Sequence, residues 1–180
     1  MRAVFDECVL GLGRVDKMLD LGCGTSLVGL EFRDTTDFIV GVDLSVKMIA
    51  SAQEKGVYDE LYAGDLTEFL NRSDVRYGLF VAADVCIYVG DMRSVLSSIQ
   101  KSANSCALVL FTTEDSEGDA FYLQSSGRVT NSYNYMRQLA GELGFDIKYF
   151  ERDRLRESRD GWIVGGLYGL VCPQKPLIKS

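Results

Sequence analysis

Short apolar runs alternate with stretches of helical periodicity along the chain, and this alternation predicts βαβ units around a parallel sheet. Residues 2–11 read as an amphipathic helix with Val4, Phe5, Cys8 and Val9 on one stripe. Strands are expected at Lys17–Leu21, Phe38–Val42, Glu60–Tyr62, Leu79–Ala83 and Ala107–Thr112. Helices are expected over Leu27–Phe32 and Leu66–Asn71. Three more are expected behind the caps Ser45, Asp91 and Ser132, running to about Lys55, Lys101 and Leu143, with Gly56 and Gly144 as stops. The segment Phe121–Arg128 reads as a loop. Two long strands, Asp146–Leu155 and Trp162–Val171, flank a hairpin signal at Ser158-Arg159-Asp160-Gly161. The expected architecture is α/β and doubly wound, seven-stranded and mostly parallel, with helices on both faces and a C-terminal antiparallel hairpin.

Composition narrows the class. A length of 180 residues fits one domain, 1–180, in which residues 1–16 form a short helical cap. A net charge of -7 argues against broad binding to a nucleic-acid backbone, which needs a basic surface. Five scattered cysteines (Cys8, Cys23, Cys86, Cys106, Cys172) form no metal-ligand spacing, so no metal is expected. Their odd number and the lack of a signal peptide point to a reducing, cytoplasmic location, and no apolar run is long enough to cross a membrane. The chain has no histidine, which removes the Ser-His and Cys-His nucleophile systems. Acid–base chemistry then falls to Asp, Glu, Tyr, Lys or Cys.

The chemistry-bearing segment is Leu19-Asp20-Leu21-Gly22-Cys23-Gly24-Thr25-Ser26, a strand end that turns into a helix. Gly22 and Gly24 permit a tight turn and a close approach of ligand to backbone. Asp43 ends the next strand, at the distance where an acidic residue binds ribose hydroxyls. A dinucleotide turn would carry a third glycine where Leu27 stands, and Asp20 would repel a pyrophosphate. A ligand with an ammonium group, a sulfonium and a ribose but no phosphate satisfies the pattern, and S-adenosylmethionine is such a ligand. A nicotinamide-dependent oxidoreductase is disfavoured on the same residues.

With Gly41-Val42-Asp43-Leu44-Ser45 and Met48, Ala63-Gly64-Asp65-Leu66, and Ala82-Ala83-Asp84-Val85 following in order, the chain resembles the class I S-adenosylmethionine-dependent methyltransferases over nearly its whole length. The segment Leu123-Gln124-Ser125-Ser126-Gly127-Arg128 resembles the small stand-alone or tetratricopeptide-repeat-associated members. The resemblance implies a Rossmann-like fold. It implies that Asp20 neighbours the methionine ammonium and that Gly22, Cys23 and Gly24 contact the cofactor through backbone. By the same resemblance Asp43 binds ribose, Leu44 and Met48 flank the adenine, and Asp65 accepts from its amino group, with Gly64 and Leu66 beside it. Ala83 and Asp84 would lie near the methionine part or the pocket mouth. Ser26 replaces the family's usual third glycine, and Asn131 stands where subgroup members often have histidine.

Methyl transfer is an in-line displacement, so the protein's main task is positioning and the exclusion of water. Asp84 and Tyr88 are the catalytic candidates, Asp84 shaping the cleft and Tyr88 positioning or deprotonating the acceptor. Gln124 and Arg128 are candidate acceptor-binding residues together with Tyr88, and Tyr122, Tyr133 and Tyr135 are candidate pocket walls. Arg152, Arg154 and Arg156 alternate on one strand face among Glu151, Asp153 and Glu157, which reads as a solvated strand end. The expected activity is methyl transfer to an O, N or S atom of a small-molecule acceptor. A non-catalytic cofactor-binding module of a larger assembly is the alternative. Only 16 residues precede the first strand, where family members carry a longer cap, so a compact enzyme and a domain of a longer protein are both open, as are monomer and dimer.

Overall fold

The computed structural model describes residues 1–8, 14–158 and 161–173. Among these residues are helices α1 (Arg2–Cys8), α2 (Leu27–Phe32), α3 (Val46–Lys55), α4 (Leu66–Arg72), α5 (Met92–Ser102) and α6 (Tyr133–Leu143). The strands are β1 (Val15–Leu21), β2 (Thr36–Asp43), β3 (Glu60–Ala63), β4 (Tyr77–Ala82), β5 (Ala103–Asp115), β6 (Phe121–Leu123), β7 (Val129–Asn131), β8 (Asp146–Ser158) and β9 (Gly161–Val171). The first five run parallel in the order β3-β2-β1-β4-β5. Beyond β5 the sheet continues with β9, antiparallel from Leu108 to Glu114, and then β8.

Alternation along the strands divides the core into two layers, because successive side chains leave opposite faces. Met18, Ile39, Leu79, Val81, Leu108 and Leu110 pack with Val4 and Phe5 of α1 and Phe32 of α2. Leu19, Val40, Phe80, Val109 and Phe111 face the other way, against Leu70 of α4, Leu96 of α5 and Leu139 of α6. The strand order reverses between β1 and β4, so their carboxyl ends open a crevice at the switch point, where open α/β sheets place ligands.

The expected helix ends hold. The Ser45, Asp91 and Ser132 side chains each accept a backbone N–H in the following first turn, and Gly56 and Gly144 close α3 and α6 with φ of 62° and 75°; Asp65 caps α4 as well, which was not expected. The expectation for α1 reaches residue 11, and its part from Val9 onward lies outside the described residues, as do Arg159 and Asp160 of the hairpin turn.

Two differences bear on function. The sheet has nine strands among the described residues, because Phe121–Arg128 is the start of a β6–β7 hairpin and not a loop. Strands of three residues around a polar turn carry no readable period. β7 also pairs with the last two residues of β5, Glu114 with Thr130 and Asp115 with Asn131. Secondly, Leu155 is an extra residue in β8, since Arg154 pairs with Val164 but Arg156 pairs with Ile163. The bulge reverses side-chain alternation. Arg152 therefore reaches Asp115 (2.6 Å) while Arg156 reaches the adjacent residue on the opposite face of β5, Glu114. Arg154 lies over the Trp162 ring. Arg152 and Arg154 are exposed with Glu151, Asp153 and Glu157, the solvated strand end expected, whereas Arg156 leaves their shared face and is partly buried against Glu114.

The turn after β1 contains a strained position. Ser26 precedes α2 with φ 75°, caps nothing, and its buried Oγ has no partner. A left-handed non-glycine residue costs about 1–2 kcal/mol, and an unsatisfied buried hydroxyl adds to this. Ser26→Gly is expected to raise stability by about 1 kcal/mol after the added flexibility of the unfolded chain is offset. Urea unfolding checks this, and an unchanged or lowered midpoint would count against the strain.

Candidate active site

A cleft of about 510 Å³ opens at the switch point, lined by the turn after β1, the ends of β2 and β3, the start of α4 and the segment after β4. Of the expected cofactor residues, Gly22, Gly24, Asp43, Leu44, Met48, Gly64, Asp65 and Leu66 line it, as do the catalytic candidates Asp84 and Tyr88. Val42 and Val85, which lie within the sequence motifs but were given no role, also line it, as do Thr67 and Val89, which carried no sequence signal.

Asp43 organises the cleft. Its Oδ2 accepts the Gly24 N–H at 2.9 Å and its Oδ1 accepts the Ser45 N–H at 2.8 Å, joining the glycine turn to the entry of α3. The Gly22 and Cys23 N–H groups both donate to the Val42 carbonyl, at 2.8 and 3.0 Å. Three successive N–H groups of the turn are thus turned into the end of β2. A phosphate-binding turn needs such donors aimed at the ligand. Here those three donors are already committed within the protein, which leaves none of them for a pyrophosphate.

The two glycines do different work. A Cβ on Gly22 would sit 2.7 Å from Val85, so the lack of a side chain there makes room for the segment after β4, while the residue itself still borders the cleft. A Cβ on Gly24 meets only a backbone oxygen at 3.9 Å, and one on Gly64 meets nothing within 4 Å, so both border open space in the cleft. On the far wall Leu44 is 78% exposed and Met48 40% exposed, an apolar surface without a protein partner layer. Asp65 caps α4 through Oδ1 alone, taking the Thr67 and Glu68 N–H groups at 2.9 Å. These features fit an adenosyl group: a carboxylate for ribose, apolar sides for a purine, and a free carboxylate oxygen for an exocyclic amine.

Five sequence expectations fall outside the cleft wall. Asp20 is sealed beneath the turn, where its Oδ2 accepts the Tyr58 hydroxyl at 2.6 Å and its Oδ1 has no partner among the described residues. Cys23 is buried, its thiol pushed up to about 12 by burial and by Asp20 and Asp43, and Ala83 is half-buried behind Asp84. Gln124 donates to Thr130 (3.1 Å) and Arg128 pairs with Glu114 (3.5 Å), both used within the β6–β7 hairpin and the β5 end. The three candidate tyrosines do not line this cleft: Tyr122 is exposed on β6, Tyr133 packs at a tilt on Phe150 (4.2 Å) and Tyr135 donates to Asp91 (2.6 Å).

One end of the cleft is built around Asp84. Its φ of 57° is left-handed, and its N–H is anchored on the Thr112 hydroxyl at 3.0 Å. Arg156 Nε lies 3.5 Å from its Oδ1 while the same guanidinium bonds Glu114. Strained non-glycine backbone concentrates at functional sites. Tyr88, 68% exposed, follows on a short 3-10 turn over Cys86–Tyr88. Nearby, the Asn131 side chain is fully buried with neither amide atom bonded. No group of His, Cys, Asp or Glu among the described residues is placed to hold a metal, and no described helix is long and apolar enough to cross a membrane.

A family model described as a methyltransferase domain matches residues 13–154. The chain belongs to the S-adenosylmethionine-dependent methyltransferase family. Solved methyltransferases share its fold at low identity. A Methanosarcina mazei S-adenosylmethionine-dependent methyltransferase aligns at 14% identity and TM-score 0.69, over 95% of this chain and 98% of that one. The N-methyltransferase NodS of Bradyrhizobium japonicum, in complex with S-adenosylhomocysteine, aligns at 16% identity and TM-score 0.73, over 96% of this chain and 86% of that one. The magnesium protoporphyrin IX methyltransferase ChlM of Synechocystis, with bound S-adenosylmethionine, aligns at 17% identity and TM-score 0.66, over 95% of this chain and 79% of that one. No curated protein sequence matches the chain.

The buried acid of this methyltransferase gives a pH signature. Burial, and to a smaller degree the charge of Asp43, raises the Asp20 carboxyl to about 7, against the pull of the Tyr58 bond. In the unfolded chain the group ionises near 4, so between about pH 4 and 7 the unfolded state holds fewer protons and stability falls as pH rises. Asp20→Asn is expected to remove up to about 1.4 kcal/mol per pH unit of that slope and to be more stable than wild type at pH 8. Thermal unfolding across pH checks this; parallel curves for the two proteins would contradict it.

Proposed function

We propose that this methyltransferase moves the methyl group of S-adenosylmethionine onto an O, N or S atom of a small-molecule acceptor. The observation that carries the reading is the cleft at the β1/β4 switch point, where the turn's N–H groups are consumed by β2 and carboxylates and apolar walls remain. When bound, S-adenosylmethionine supplies a methyl group activated by its sulfonium. Asp43 accepts from the ribose hydroxyls on lone pairs left by its two backbone bonds, and Asp65 Oδ2 accepts from the adenine amino group beside Gly64 and Leu66. Leu44 and Met48 cover the adenine faces. Gly22, Cys23 and Gly24 contribute through Cα and carbonyl edges, with Asp20 below them and Ala83 supporting the segment after β4.

Asp84 and Tyr88 stand at the acceptor end. The Thr112 hydroxyl anchors the Asp84 N–H, Arg156 lies beside its carboxylate, and Tyr88 orients the acceptor or takes its proton. Arg128 and Gln124 act on the acceptor side only through Glu114 and the hairpin that they brace. An in-line displacement gains most from such positioning, and a base is needed only for a protonated, weakly acidic acceptor. The net charge of -7 and the acidic cleft favour a small metabolite over a nucleic acid.

Calorimetry with S-adenosylmethionine, S-adenosylhomocysteine and NAD tests the donor: the adenosyl ligands bind and NAD does not. Binding of NAD alone would overturn the reading, and adenosyl binding without transfer to a broad metabolite panel would favour a non-catalytic module. Gly24→Val places a branched Cβ in the cleft and is expected to weaken S-adenosylhomocysteine binding at least about tenfold, at the price of some backbone strain. Retained affinity would move the site away from the turn. For an acceptor that is turned over, Tyr88→Phe is expected to lower kcat by about 10²-fold, and wild-type kinetics would exclude the proton-transfer role.

A further inference from the structure

Tyr58 belongs to no motif, yet the fold spends several interactions on placing it. It lies between α3 and β3, where Arg33 donates to the Val57 carbonyl (3.2 Å) and to Asp59 (2.7 Å). Asp59 in turn accepts the Ile39 N–H (2.7 Å) and donates its own N–H to the Ile39 carbonyl (2.9 Å). The residues on either side of Tyr58 are thus fixed to α2 and β2. Its ring enters a slot cut by two glycines. A Cβ on Gly29 of α2 would lie 2.7 Å from the phenol carbon, and one on Gly41 of β2 would lie 3.0 Å from the ring edge. Through the slot the hydroxyl reaches the sealed Asp20 carboxylate.

We propose that Tyr58 is a positioning residue of the cofactor cleft, fixing the Asp20 carboxylate beneath the glycine turn as counter-charge for the cationic methionine end of the methyl donor. The inference rests on the reading of this cleft as an adenosylmethionine site. The groups facing Asp20 are Tyr58 from the α3–β3 segment, Cys23 from the turn and Asp43 from β2. Burial and the Asp20 charge hold the Tyr58 hydroxyl protonated far above neutrality, so it remains a donor, and the Cys23 thiol stays neutral. Asp20 is then the group beneath the turn whose charge changes near neutral pH. A donor bonded to its ionised form favours that form. Two apolar side chains would fill the same layer without desolvation cost. The buried acid–phenol pair thus destabilises the free protein relative to an apolar filling, and it gains its use when a cation lies above the turn.

The test is calorimetric titration with S-adenosylhomocysteine, which keeps the ammonium, between about pH 5.5 and 8.5, a range that brackets the Asp20 titration. Wild-type affinity is expected to fall by up to about tenfold per pH unit below the midpoint. Tyr58→Phe keeps the ring in its slot and removes only the bond. Its midpoint is expected about one pH unit higher, with affinity about fivefold weaker at pH 7 and within about threefold of wild type at the alkaline end. Asp20→Asn is expected to bind weakly with a flat profile. Tyr58→Phe with the wild-type midpoint, or a uniform loss of affinity at every pH, would overturn the positioning role while leaving the cofactor reading intact. Failure of wild type to bind at any pH would instead remove the cofactor reading, and this inference with it.

Discussion

The structure depends on one carboxylate at the end of β2. Asp43 holds the glycine turn with one oxygen and the entry to α3 with the other, so that two loops from different βα units share a single anchor. Hydrogen bonds to an ionised acceptor are about twice as strong as neutral ones, and both donors are backbone groups with no alternative partner in the turn. With the Gly22 and Cys23 N–H groups on the Val42 carbonyl, the turn becomes an extension of β2. Its first three donors face the protein. A glycine-rich turn that would otherwise cradle phosphate is thereby suited to a methyl donor that carries positive charge.

Two further carboxylates show how placement divides labour among like residues. Asp20 is sealed between the sheet and α2, with one phenol as partner and its ionisation displaced into the neutral range. Asp84 is open to the cleft on a left-handed residue, steadied by a guanidinium from the C-terminal hairpin. The first is closed off beneath the turn; the second lines the cleft. Arg156 reaches Asp84 and Glu114 only because the Leu155 bulge turns it to the face opposite Arg152. A backbone irregularity far along the chain therefore shapes the mouth of a cleft built largely from the first ninety residues.

Much of the fold was legible because its signals are local. Ser45, Asp91, Ser132, Gly56 and Gly144 mark helix ends by capping chemistry that acts within a turn of chain, and all five stand where they were expected. The buried strands β1, β2, β4 and β5 announced themselves as apolar runs, although β5 begins four residues early, through the left-handed Cys106. The hairpin β6–β7 was not legible, since three-residue strands stabilised by pairing with the end of β5 have no period of their own. Arginine spacing misled for a related reason: alternation assigns faces only in an unbulged strand.

The amino-acid sequence by itself determined the alternation of elements, the glycine turn with Asp43 and Asp65 behind it, and with them the class of methyl donor. Those features depend on spacing along one or two βα units. Tertiary structure alone decided which residues line the cleft. It withdrew Asp20, Cys23 and Ala83 from the cleft wall, committed Gly22 to Val85, tied Arg128 to Glu114, and brought Tyr58 and Arg156 from distant segments to two of the carboxylates. Each of those outcomes turns on burial and on contacts between elements far apart in sequence, which no local spacing encodes.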